Sequence, residues 1–432
     1  RILAPQPNMK NFFNKIFSSS KNLYSFKNNI KNLSLITPVK KIFEAINSYS
    51  SESEIRYVGG CLRRILNNEK VDDIDLATNL NPLEVSEILK KNNINFYESG
   101  IDHGTITAII DNHKFEITSL REDIFTDGRH AKVKFSKDWK KDASRRDFTI
   151  NSIYADLDGN LFDPYNGKKD IEIGHVSFIG NAEKRIKEDY LRILRYIRFF
   201  LNYSKQPHKV EITKVIKTNI SGISIISKER LLDELKKLFE SDQLEKLSKD
   251  KFSIDLLLLI FPELKNIKSV INAIKIKKEL FVDLDFIFIL FLMIIDETDN
   301  LEYFLYKYNI SKKDQKRANA ISNFYNDKKE SKILNEANLN RVFYYNGRQA
   351  VLDILCFKII KTKKADKKLL NLLELYKSKT TPSLPFGADL LMTRYKIPEG
   401  RQLGSTLKLI EEEWIRNNFE ISDKQIDNIV KG

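Results

Sequence analysis

An α+β fold, with a head of mixed strands and helices followed by an all-helical remainder, is what this 432-residue sequence predicts. Between Ile55 and Ser177 short apolar or alternating segments are interleaved with amphipathic stretches. From Ala182 onward apolar residues recur three and four apart, the helical period, and strand-like alternation nearly disappears. With 42% hydrophobic residues, the chain is long enough to build more than one core.

The elements follow in order. Residues 1–43 contain no acidic residue and are rich in Lys, Asn, Ser and Phe. They read as a basic extension, disordered or targeting, although transit peptides favour Arg, and Met9 is a candidate start of the chain. RYVGG from Arg56, TITAII from Thr105 and KFEITSL from Lys114 are predicted strands. PLEVSEILKKNN from Pro82 is a helix with proline in its first turn. Ala182–Tyr203 reads as one amphipathic helix, and Lys228–Ser241, Ser269–Val282, Gln349–Lys364 and Ser405–Asn418 as further ones. Proline and glycine cluster in TTPSLPFGADLL, Thr380–Leu391, ahead of a last small helical unit. The apolar run Phe286–Ile295 has ten residues, half of the roughly 20 that cross a bilayer, so a buried helix and no membrane association are expected. Cys61 and Cys356 form no ligand pair, which indicates neither a disulfide framework nor a zinc site. Lys and Arg outnumber Asp and Glu by 73 to 59, and that excess favours a polyanionic partner, nucleic acid or a membrane surface.

Three clusters carry chemistry. In VDDIDLAT, Asp73 and Asp75 are two apart in an extended, apolar context, so the strand period places both on one face. Carboxylates facing one way repel unless a cation lies between them, and hard oxygen donors favour Mg²⁺ over zinc. Taken alone, such a pair fits a solvated turn somewhat better. Glu116 faces away from Phe115 and Ile117, and a neighbouring strand would bring it in as a third carboxylate. Gly59 and Gly60 allow a ligand close to the backbone, with Arg63 one helical turn on to meet phosphate oxygens; a Gly-Gly pair also ends strands for structural reasons. In the second cluster, Arg145 and Arg146 precede Asp147 and Asn151, a set able to grip a triphosphate and a ribose, or to form a surface salt bridge. In the third, Asp189 and Arg192 are three apart on the predicted helix and therefore side by side. An acceptor beside a donor complements the amino donor and ring-nitrogen acceptor that cytosine and adenine share; an ordinary ion pair has the same spacing. Arg195 and Arg198 continue that stripe toward phosphates.

Taken in order, VGGCLRR, VDDIDLAT, KFEITSLR, TDGRHAKVKF, KKDASRRDFTIN, FDPYNGKKDI and EDYLRILRYIRF resemble the class II CCA-adding tRNA nucleotidyltransferases of the DNA polymerase β-like superfamily. The resemblance runs from Arg56 to Glu234 and continues more weakly through PFGADLLMTRYKIPEGRQLGSTLKLIEEEW. It implies a seahorse-like molecule that follows the basic extension, taken as 1–40: a polymerase β-like nucleotidyltransferase head over 41–178, and a helical neck, body and tail over 179–242, 243–380 and 381–432. It further implies Mg²⁺ at Asp73 and Asp75, a catalytic role for these two and Glu116, and CTP or ATP bound by Gly60, Arg63, Arg146, Asp189, Arg192, Arg195 and Arg198. The loop Thr126–Val133 matches a flexible element that helps switch from C to A addition. Arg64 stands where the family usually has Asp in GGxxRD, which questions the local support of Arg63.

The implied reaction is template-independent addition of C, C and A to the 3′ end of tRNA, by in-line attack of the 3′-hydroxyl on the α-phosphate of CTP or ATP with release of pyrophosphate. A poly(A) polymerase or a partial CC- or A-adding enzyme shares the head motifs; the loop match and the short C-terminal region favour full CCA addition. A non-catalytic RNA-binding protein of the same fold has no need of mutually repelling carboxylates. The run KIIKTKKADKK from Lys358 would hold the tRNA backbone, or be a solvated helix face. A cytoplasmic protein is expected, or a mitochondrial one if the N-terminus is a transit peptide, and a monomer and a homodimer are equally open. No HD-type hydrolase signature occurs in the helical part.

Overall fold

The computed structural model describes residues 23–100, 104–126, 131–241, 243–280, 284–326, 334–362, 366–380 and 382–431. The first 22 residues and the centre of the loop Thr126–Val133 lie outside them. The chain divides into two compact units, Arg1–Leu235 and Lys236–Gly432.

The first unit is α+β. It opens with α1 (Leu23–Ile36) and α2 (Val39–Asn47), followed by β1 (Ile55–Val58), α3 (Gly60–Leu66), β2 (Ile74–Thr78) and α4 (Pro82–Lys91). Next come β3 (Asn95–Gly100), β4 (Thr105–Ile110), β5 (His113–Ser119), the hairpin of β6 (Arg121–Thr126) and β7 (Ala131–Phe135), α5 (Trp139–Ser144), β8 (Tyr154–Ala155) and β9 (Leu161–Phe162). The helices α6 (Gly167–Ile173), α7 (Ala182–Glu188), α8 (Arg192–Tyr203) and α9 (Val210–Asn219) follow, and α10 (Lys228–Phe239) runs across the boundary at Leu235. The sheet is mixed and seven-stranded, in the order β3-β4-β5-β2-β1-β8-β9. Among the described strands only β2 and β5 run parallel, which sets Asp75 opposite Glu116 in register. Pro82 starts α4 as its sequence predicts, because Asn81 and Glu84 form a reciprocal capping box. Val58, Ala77, Leu120, Ala143 and Tyr154 make a core under the sheet, covered by Trp139, Phe162 and Tyr165.

The predicted helix Ala182–Tyr203 is two helices. Asp189 is extended (φ −156°, ψ 104°), and α8 begins only at Arg192. The apolar period continues across the break, so periodicity hides it, but the Asp189 carboxylate accepts the Leu191 N–H at 3.1 Å and draws the backbone out of the helix. Asp73 likewise lies just ahead of β2, which starts at Ile74.

The second unit is helical from Leu244 to Lys431 among the described residues. The apolar run becomes the helix Phe286–Ile294, capped by Asp285 and buried along almost its whole length. No described helix is long and apolar enough to cross a membrane. After the Pro/Gly cluster, Leu391, Ile397, Leu403, Ile410 and Ile426 form a separate small core.

Candidate active site

The turn between β1 and α3 brings backbone against charge. Gly59 adopts φ +65°, a conformation open to glycine, and its N–H donates to the Ile153 carbonyl at 3.2 Å. A Cβ at Gly59 would stand 3.4 Å from an Arg146 Nη, and one at Gly60 would stand 3.6 Å from Asp75 Oδ2. Both glycines therefore sit where the two charged clusters meet. Asp75 is half-buried, and its carboxyl is raised by burial first and then by Glu116 and Asp73, against the lowering pull of Arg146 and Arg63. Asp75 thus stands opposite Glu116 and feels the charge of Asp73, which lies just ahead of β2. Cys61 packs behind them, its buried thiol pushed up to about 12.

The arginines are held by groups that sequence reasoning did not single out. Asp142, on α5, is buried and accepts from Arg145 Nε at 2.8 Å, Arg146 Nη2 at 3.2 Å and the Tyr154 hydroxyl at 2.6 Å. Tyr154 also accepts from Arg146 Nε at 3.0 Å. Burial alone would raise Asp142, but Arg146, Arg145 and the Tyr154 hydroxyl bring it down to about 2.

Asp147 and Asn151 turn inward. Asn151 donates to Asp147 at 2.8 Å and accepts from Arg63, while the other Asp147 oxygen accepts from Arg195 Nε at 2.7 Å. Arg63 is 9% exposed, packs its guanidinium 4.8 Å from the centre of the Phe199 ring, and leaves its Nε buried with no partner. Glu234, on α10, is 2% exposed and pairs with Arg198 and, at 3.9 Å, with Arg195.

Asp189 and Arg192 do not pair with each other. The second Asp189 oxygen accepts from Arg230 at 2.8 Å. Arg192 donates to Glu188 at 2.8 Å and to the Arg185 carbonyl at 2.6 Å. The ion-pair spacing read from one continuous helix is corrected accordingly: Asp189 is outside the helix that Arg192 begins.

Residues 55–177 match the family described as the poly A polymerase head domain, and residues 210–268 match the probable RNA and SrmB-binding site of polymerase A. The mouse "CCA tRNA nucleotidyltransferase 1, mitochondrial" is 45% identical over 197 residues, which are 45% of this chain and 45% of the relative. The human protein of the same name is 47% identical over 188 residues, 43% of each chain. Over these stretches the chain is similar to poly A polymerases and to CCA tRNA nucleotidyltransferases. Its alignments span a little under half the length of these curated relatives. The crystal structure of the Bacillus stearothermophilus CCA-adding enzyme in complex with CTP matches the fold with a TM-score of 0.72 at 21% identity, over 91% of this chain and 97% of that one.

One position departs from the motif of the family that the sequence resembles. Arg64 turns away from Arg63 and pairs with Asp72 at 3.0 Å, while Lys70 takes the other Asp72 oxygen at 2.6 Å. Support of Arg63 comes instead from Asn151 and from the Phe199 and Tyr203 rings. Among the described residues no three His, Cys, Asp or Glu side chains stand close enough together to enclose an ion. The donor set still fits a hard divalent cation, because Mg²⁺ takes one or two carboxylates and completes its shell with water and substrate phosphates. Repulsion among Asp73, Asp75 and Glu116 is what such a charge relieves.

Proposed function

We propose that this protein adds C, C and A, without a template, to the 3′ end of tRNA, consuming CTP and ATP and releasing pyrophosphate. One observation carries the reading: Asp75, in register with Glu116, is coupled to Asp73 and meets the Gly59–Gly60 turn and the cations Arg63 and Arg146 at one place. The names of the mouse and human relatives and the CTP in the Bacillus stearothermophilus structure support it. Those two names also favour the mitochondrial of the two compartments.

In this reading Asp73 and Asp75 hold Mg²⁺, which when bound lowers the pKa of an attacking hydroxyl and offsets triphosphate charge. Arg63 and Arg146 face the phosphates. Their guanidinium groups are already fixed by Asn151, Asp142 and Tyr154, so little reorganisation accompanies the charge that develops in the reaction. Asp147 and Asn151 act through Arg195 and Arg63 rather than on the ribose, because their polar atoms are committed to those side chains. Asp189 supplies the acceptor and Arg192 the donor that read the base edge.

The test is to incubate the full chain with Mg²⁺, a tRNA transcript lacking CCA, and each nucleoside triphosphate singly and together, at single-nucleotide resolution. Two added residues with CTP, three with CTP plus ATP, and none with GTP or UTP are expected. The family model's own description favours one second reading, poly(A) synthesis, and a long adenosine ladder would replace the first reading with it. Asp73→Ala and Asp75→Ala should each lower transfer on the order of 10³-fold while tRNA binding persists. Wild-type protein that transfers nothing overturns the enzyme reading.

A further inference from the structure

The carboxylate and guanidinium assigned to base reading have opposite charges three residues apart, so the simplest arrangement would pair them with each other and leave nothing for a base. The structure keeps them separate. Arg192 is 13% exposed and occupied by Glu188, while Asp189 is taken by Arg230, which belongs to α10 and lies 41 residues away in sequence. The neighbouring Tyr190 is anchored independently. A Cβ at Gly222 would stand 2.0 Å from a Tyr190 ring carbon, so the ring fills the space any side chain there would take. Gly222 lies in the short turn Ile220–Ile225 that leads into α10. The loop Asp189–Leu191 is therefore fastened to one segment at two points, Gly222 and Arg230. Two oxygens of an ionised carboxylate offer about four acceptor sites. Leu191 N–H and Arg230 take one on each oxygen, which leaves capacity for a base amino group in a fixed direction.

We propose that Arg230, assisted by Gly222, is a positioning residue for nucleotide choice: it holds Asp189 away from Arg192 so that acceptor and donor both stay open to cytosine or adenine. This inference rests on the assignment of Asp189 and Arg192 to base reading made above. Without Arg230 the Asp189 carboxylate turns to Arg192, the two satisfy each other, and the preference for bases bearing an amino group is lost.

The experiment measures equilibrium binding of CTP and UTP in Mg²⁺, alongside steady-state C addition, for wild type, Arg230→Ala, Arg230→Lys and Gly222→Ala. Arg230→Ala should raise Kd and KM for CTP about five- to tenfold, as expected for a partly exposed charged hydrogen bond, change kcat less than about threefold, and narrow the CTP-over-UTP preference. Arg230→Lys should recover most of the loss, and Gly222→Ala should reproduce it by displacing Tyr190. Should Arg230→Ala fail to fold, the other two variants decide. A wild-type preference that survives in the variants, a fall in kcat with KM unchanged, or wild-type protein that binds CTP and UTP alike overturns the inference. Wild-type protein that prefers CTP in binding yet transfers nothing refutes the proposed function alone, and the binding ratio of the variants still scores Arg230.

Discussion

Asp142 bonds two arginines and a tyrosine, and yet by sequence it is an unremarked acid in a short helix. Its importance arises from burial, which makes an unpaired charge costly and a paired one specific. Asp142→Asn should destabilise the first unit by about 3–5 kcal/mol, the range for breaking a buried ion pair, read as a lower melting temperature. The sign of its pH dependence follows from the same contacts. A carboxyl held at about 2, below its ordinary 3.8, contributes stability that is complete above pH 4 and is lost as the pH falls toward 2. Asp147, held below the usual carboxylate range against burial by Arg195 and Asn151, adds in the same direction. The melting temperature should therefore drop steeply between about pH 4 and pH 2, and Asp142→Asn should flatten that drop. At this scale the aspartates of VDDIDLAT and the arginines were legible because their types and spacing are unusual. The partners Asp142, Glu234 and Arg230 were not, since a lone charged residue on a helix most often faces water.

Among the elements, the parallel pair β2 and β5 decides the site. Alternation along each strand was readable, and so was the face on which Glu116 lies. Which strand neighbours β2 depends on chain crossovers that no local pattern records. The β1–α3 turn is the second deciding element. Gly59→Ala places a side chain at φ +65° and beside Arg146, so a loss of about 1–3 kcal/mol in stability and a larger loss in nucleotide transfer are expected from melting and addition assays. The cap of α4 is the contrasting case. Asn81→Ala should cost about 1 kcal/mol through loss of its bond to the Glu84 N–H, with transfer unchanged in the same assay. The break at Asp189 escaped the sequence pattern because apolar spacing carries through it, and the Asp189 carboxylate that accepts the Leu191 N–H is also held by Arg230 of α10, 41 residues away.

For the whole molecule, a net charge of +14 predicts a polyanionic partner whatever the details of the site. If that partner is tRNA, its affinity should fall at least about tenfold between 50 and 200 mM salt, because released counterions drive binding; a filter-binding titration measures the slope. The two compact units, a mixed α+β one and a helical one, separate at Leu235 and not at the change of period near Ala182, because the helices that follow Ala182 pack with the first unit. By itself the sequence determined the fold class, the burial of Phe286–Ile294, and the residue types able to hold a cation and a triphosphate. These follow from periodicity, run length and local spacing, which act between near neighbours along the chain. Tertiary structure alone decided that Glu116 joins Asp75, that Asp147 and Asn151 serve the arginines, and that Asp189 answers to Arg230 rather than to Arg192. Each of those outcomes is a competition among charges distant in sequence, and the winner is set by which groups the fold brings within hydrogen-bond reach after removing them from water.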